Sequence, residues 1–155
     1  MRIRLVALSI ILTAIFTGCD GQTNREIEMD YKDDKLESGQ IWKYKTREGE
    51  EDSRVTILKV EKYEKGGIVV HVAVTDININ NPQMENEKSN EISHLPFSKE
   101  SILKSLTDLE SLDNNLPDFE EGYNEWKQAF DSGKGGIFTI EVKEAVEYVE
   151  QIMNQ

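Results

Sequence analysis

The sequence predicts an α+β domain: an antiparallel sheet of three to five strands, followed by about three helices packed on it. Three observations carry this expectation. β-branched runs flank a Gly-Gly pair in the first half of the chain, at Arg54–Glu64 and Ile68–Asn80. Helical apolar spacing dominates the second half, from Ser98 onward. The length of 155 residues, 37 % of them hydrophobic, suits one domain around one core. Strands first and helices later is the element order of an α+β fold rather than of alternating βαβ units.

The elements follow in order. Gln40–Arg47 alternates Trp42, Tyr44 and Thr46 with Lys43, Lys45 and Arg47, as a half-buried strand does. Glu48–Ser53 reads as a polar turn. Arg54–Glu64 and Ile68–Asn80 then form a hairpin. A three-residue loop at Lys65-Gly66-Gly67 sets Leu58 opposite Val74 and Val60 opposite Val72. A two-residue loop would bring Glu61 beside Val72 and Lys59 beside Val74, so the odd loop with a left-handed glycine is preferred. Asn81–Asn90 reads as a loop, and Ile92–Phe97 as a short edge strand. Ser98 is placed to cap a helix over 99–112 with Ile102, Leu103, Leu106 and Leu109 on one side. Asp118 and Glu121 have capping-box spacing. They open a helix with Phe119, Tyr123, Trp126 and Phe130 in one stripe, stopped by Gly133. Trp42 and Tyr44 are the sheet residues this stripe is expected to cover. Gly136–Ile140 reads as a short strand. A last helix over 141–153 has Val142, Val146, Val149 and Met153 on one face.

The N-terminus reads as an address. Arg2 and Arg4 precede an apolar run at Leu5–Phe16. That run covers roughly 18 Å as a helix, short of a hydrocarbon core of ~30 Å. It therefore reads as a signal peptide over residues 1–18. Phe16-Thr17-Gly18-Cys19 follows, and Cys19 is the chain's single cysteine. This stretch resembles the lipobox of bacterial lipoproteins, with Phe16 where that family usually has Leu. The resemblance implies a diacylglycerol on the Cys19 thiol, cleavage before Cys19 and a protein held to a membrane by lipid. Asp20 resembles the signal that retains such proteins on the periplasmic side of the inner membrane in Gram-negative envelopes, with the outer membrane as the alternative. Residues 1–18 carry two cations and no acids, so cleavage moves the formal charge from −12 to −14. Residues 20–38 are polar and lack a period, which predicts a flexible acidic tether with a reach of roughly 25 Å. The globular unit is then 39–155. Its stretches GQIWKYKTREGEEDS, ISHLPFS, FEEGYNEWKQAF and GIFTI resemble small uncharacterised bacterial proteins, a likeness that implies one folded unit and no activity.

Chemistry-bearing patterns are sparse. A single cysteine excludes a disulfide framework and a cysteine-rich zinc module. The acidic balance argues against nucleic acid, whose phosphates require cations. No metal motif and no nucleophile elbow occurs, so no catalytic, cofactor or metal residue is assigned. His71 alternates with valines and reads as a half-buried or surface strand residue. His94 lies in a loop or edge. Gly133–Gly136 reads as a linker rather than a phosphate loop. The acids Glu50-Glu51-Asp52, Glu120-Glu121 and Glu144, Glu147 and Glu150 read as solvated faces. Together they make a field that can steer a basic partner. The function expected is a membrane-anchored, non-enzymatic acidic binding module, of an inhibitor or immunity type, for a basic partner. The alternative is a small-ligand-binding or hydrolytic protein with a cleft between sheet and helices, using His94 or His71.

Overall fold

The computed structural model describes residues 27–29 and 31–155. The segment 1–18 read as a signal peptide, Cys19 and Asp20 lie outside the described residues. The fold is α+β. The strands are β1 (Glu28–Met29), β2 (Gln40–Tyr44), β3 (Arg54–Tyr63), β4 (Gly67–Asn80), β5 (Lys88–Ser98) and β6 (Leu106–Leu112). The helices are α1 (Lys99–Ser105), α2 (Glu120–Asp131) and α3 (Val142–Met153). The sheet runs β5-β4-β3-β2-β6, antiparallel throughout, with β1 paired to the end of β3.

The sheet is covered on both faces, because side chains alternate along a strand. On one face Val55, Ile57, Val70, Val72 and Phe97 meet Ile102 of α1 and Val142, Ala145 and Val146 of α3. Ser105 joins these two helices: its Oγ donates to Ser101 O and accepts from Val142 N, both at 3.0 Å. On the other face His71 and Tyr63 lie under Trp126 of α2. Trp42 and Tyr44 belong to the first face, in the core with α1 and α3, and not under the aromatic stripe as expected. Trp42 pairs with Val55, a core residue, and strand pairing puts both on one face.

The hairpin differs in register from the expectation. Tyr63 pairs with Gly67, so the loop is Glu64-Lys65-Gly66, odd in length and one residue earlier. Gly67 has φ +72 and so takes the left-handed turn conformation. Val60 faces Val70, Ile57 faces Val72, and the register shifts at Leu58. Such a bulge changes which residues of β3 face the main core. Val55 and Ile57 point to it on one side of the bulge, while Lys59 pairs with His71 and Glu61 with Val69 on the other. Two charged residues are thus turned inward.

Other elements are corrected in detail. Ser98 caps α1 as expected, accepting from Ser101 N at 3.2 Å. The helix stops at Ser105, however, and the rest of the predicted 99–112 helix is β6. Leu106 is extended, with ψ 145, and the segment pairs with the otherwise open edge of β2. Hydrogen bonding that edge outweighs a weak helical stripe. Leu109 and Leu112 stay exposed. Asp118 accepts from Glu120 N, but no capping box forms at α2. One forms at α3 instead, between Glu141 and Glu144. The strand expected at Gly136–Ile140 reduces to a bridge between Phe138 and Phe97.

Residues 31–38, read from the sequence as part of the flexible tether, include side chains packed on the domain. Leu36 is only 1 % exposed and sits in the main core. Asp33 is buried: it accepts from Tyr31 Oη (2.6 Å), from Lys35 N and Leu36 N (2.9 Å each), and pairs with Lys99 Nζ at 2.6 Å. These donors hold its carboxyl far below the usual range even though burial pushes the other way. A short apolar residue set, with no period, hides such a strap from sequence reading. Leu36→Ala is expected to lower stability by about 2–5 kcal/mol, read from urea denaturation of the soluble domain. A residue in a loose tether would leave the midpoint unchanged.

Candidate functional site

The most concentrated chemistry lies between the sheet and α2. Three neighbouring strands supply it. β3 contributes Lys59, Glu61 and Tyr63, β4 contributes His71, and β5 contributes His94. The helix α2 closes over them with Tyr123 and Trp126. Gly122 permits the approach, since a Cβ there would lie 3.1 Å from His94 Cβ. The aromatic stripe expected from the sequence is therefore the cover of this site. Tyr63 stacks edge-on against Phe130 (5.0 Å) and Trp126 (6.3 Å), and Trp126 meets His71 at 4.7 Å.

Glu61 is the hub and is 2 % exposed. Its Oε2 accepts from Tyr63 Oη at 2.6 Å and lies 3.0 Å from His71 Nε2. Its Oε1 accepts from Tyr123 Oη at 2.7 Å and pairs with Lys59 Nζ. Lys59 Nζ also donates to Tyr123 Oη at 3.1 Å. Burial alone would raise the Glu61 pKa, but His71, Lys59 and the two phenols hold it well below the ordinary carboxylate value. The same pairing pushes Lys59 up to about 12 against the effect of burial. Burial and the Glu61 charge together raise both Tyr63 and Tyr123.

The histidines extend this hub as a relay. His71 is 0 % exposed, not half-buried as the sequence suggested. Its Nδ1 lies 2.9 Å from His94 Nε2. An ionised Glu61 can only accept, so His71 carries its proton on Nε2. His71 Nδ1 is then a lone pair that accepts from His94 Nε2–H. That leaves His94 Nδ1 unprotonated, on the side toward Gly122. Burial, and then the neighbouring His71, lower the His94 pKa to about 4. Burial lowers His71 as well, partly offset by Glu61. Both rings are therefore neutral at pH 7. Among the described residues no three His, Cys, Asp or Glu side chains converge as a metal site would require.

Beside His94 lies an open depression of about 340 Å³ lined by Ser93, Asp118, Phe119, Glu121, Gly122 and Glu125. Glu121 and Glu125 are exposed there. Chemically, the lining offers a hydroxyl and three carboxylates, all suited to donors and cations, while His94 itself is not among the lining residues.

The other acids fall into two groups. Glu120 and Glu121 are solvated, as expected. Glu50 and Glu150 are not. Arg47 bridges them at 2.5 Å and 2.7 Å, and they accept from Asn78 N and Asn80 N at 2.8 Å and 2.7 Å. This clip ties the β2–β3 turn and β4 to α3; despite burial, Arg47 with the Asn78 amide holds Glu50 below its usual value, and the Asn80 amide with Arg47 does so for Glu150. Sequence reasoning does not single out Asp33, and it treats Glu61 only as a charge that sets the hairpin register. The signal for Glu61 was present in Lys59, Glu61, Tyr63 and His71 sharing one strand face, but only the bulge at Leu58 turns that face inward. No family model matches this chain, and no curated protein and no solved structure matches it.

Acid should weaken this site. A histidine with a folded pKa below its unfolded value contributes stability that is full above the unfolded value of about 6.5 and is lost as pH falls toward the folded value. For His94 that window runs from about 6.5 to about 4, with an upper bound of about 3 kcal/mol. Glu61, held below its unfolded value, adds further loss below about 4.5. Urea midpoints should therefore fall between pH 7.5 and pH 4.5, and His94→Gln should flatten that slope. Glu61→Ala should cost about 3–5 kcal/mol at pH 7, because His71 and Lys59 lose their partner. A loss under 1 kcal/mol would contradict the hub role.

Proposed function

We propose that this chain is a lipid-anchored lipoprotein of a bacterial cell envelope, whose acidic domain is a non-enzymatic binding module for a basic partner protein. The lipid anchor rests on the lipobox-like Phe16-Thr17-Gly18-Cys19 and the apolar run before it. Two or more acyl chains on one residue hold a protein firmly, so no spanning helix is needed. The observation that carries the binding role is the depression beside His94, where Asp118, Glu121 and Glu125 cluster next to Ser93. Carboxylates at such a site favour Lys or Arg, and the −14 field raises the encounter rate of a cationic protein. An inhibitor or immunity-type neutraliser of a basic toxin has this chemistry.

The relay supports a second reading, in which the same depression binds a small ligand or hydrolyses one. His94 would then act as a base, oriented by His71 and Glu61. Against this stand the low His94 pKa, about 4, which makes it a weak base, and its place outside the lining of the depression.

Capture from detergent-solubilised membranes at low and high salt separates the two. A basic protein partner should be retained at low salt, lost at high salt, and lost at low salt with Glu121→Gln/Glu125→Gln. Capture insensitive to both changes, or no partner at all, would refute electrostatic recognition. Intact mass of the membrane-extracted protein should show the chain beginning at a diacylglyceryl Cys19.

A further inference from the structure

A lipid on Cys19 would tether the domain by the end at which the chain enters the fold. Cys19 precedes Ile27 by eight positions, a span of at most about 28 Å even when fully extended. The chain enters the fold at one end. Glu28 pairs with Tyr63 and Met29 with Lys62, next to the β3–β4 turn. The C-terminal end of α2 lies at the same place. Phe130 Cζ would be 2.9 Å from a Cβ on Gly66, and Lys127 Nζ sits 5.0 Å over the Tyr63 ring. Lys134 N closes onto Ala129 O at 2.8 Å and so belongs to this end too. The opposite end, about 33 Å away along the ten residues of β3, holds the β2–β3 turn and the loop after β4.

The two ends differ in charge. At the entry end, Lys62, Lys65, Lys127 and Lys134 offset Glu28, Glu64 and Asp131, with Asp30 following Met29 in the sequence, and Ile27 and Met29 are 61 % and 44 % exposed. At the far end Glu48, Glu51, Asp52, Glu85 and Glu87 are all exposed, with the exposed Lys88 beside them. Anionic headgroups repel that far end, and the repulsion acts within about one Debye length, ~8–10 Å. The balanced entry end, with two exposed apolar side chains, meets no such penalty.

We propose that the β3–β4 end of the domain, with Ile27, Met29 and Lys134 at its surface, rests against an anionic lipid bilayer and turns the acidic β2–β3 end outward. This rests on the reading of Cys19 as lipidated. The domain is then oriented rather than free to sample all directions, and the depression beside His94 stays open to a soluble partner.

The test uses the lipidated full chain in vesicles of phosphatidylcholine with about one quarter phosphatidylglycerol and a nitroxide-labelled lipid headgroup. With Cys19 occupied by lipid, a fluorophore can be placed on one new thiol at a time. Glu64→Cys and Lys134→Cys report the entry end, and Glu48→Cys and Met84→Cys report the far end. Quenching at the entry end should exceed that at the far end by at least about twofold. Lys62→Glu/Lys134→Glu, with the label at Glu64→Cys, should erase most of the difference. Equal quenching at both ends, or stronger quenching at the far end, on protein shown by mass to be lipidated would overturn this proposal alone. A chain whose Cys19 carries no diacylglyceryl would overturn the reading beneath it, and this proposal with it.

Discussion

A carboxylate buried in the middle of a sheet is the constraint around which this domain is arranged. Taking Glu61 out of water is tolerable only if every lone pair finds a donor. Lys59, Tyr63, Tyr123 and His71 supply those donors, and Tyr123 can do so only with α2 lying across the strands. The helix has no fully buried residue of its own. Its position is therefore set by a ring-lined seam and by the hydrogen bond of one phenol. The same constraint fixes the tautomers of both histidines and leaves the His94 Nδ1 lone pair on the side toward Gly122.

The two faces of the sheet are held by different physics. Under α1 and α3 the packing is apolar, with valines, isoleucines and Phe97 in contact, and it is stabilised by area removed from water. Under α2 it is aromatic and polar, and it depends on protonation states. Two further charge clips fasten the periphery: Asp33 with Lys99 at the N-terminal strap, and Arg47 with Glu50 and Glu150 at the far end. Each places an acid where burial alone would not. An acidic chain thus uses a handful of its carboxylates as struts and leaves the remainder as surface field.

Legibility in the sequence followed the strength of the local pattern. β3 and β4 were readable because β-branched runs and a glycine turn agree. α3 was readable from Val142, Val146 and Val149. Leu106–Leu112 misled because leucines at helical spacing are a weak prior, and the unpaired edge of β2 is a non-local demand. Leu36 was hidden because one buried side chain has no period. The hub was hidden for a different reason. The register argument treats Lys59 and Glu61 as charges that a core rejects, and that holds only for unpaired charges. Their partners come from positions as distant as Tyr123.

The sequence alone determined the class of fold, the apolar core strands, the caps at Ser98 and the stop at Gly133, and the strong negative charge, since all of these are encoded within a few residues or in composition. Only the tertiary structure decided the bulge at Leu58, the burial of Glu61 and His71, the edge role of β6 and the docking of residues 31–38. Each depends on which groups meet across the fold. Alternation tells which side chains share a face, but which face is inward depends on what lies across it.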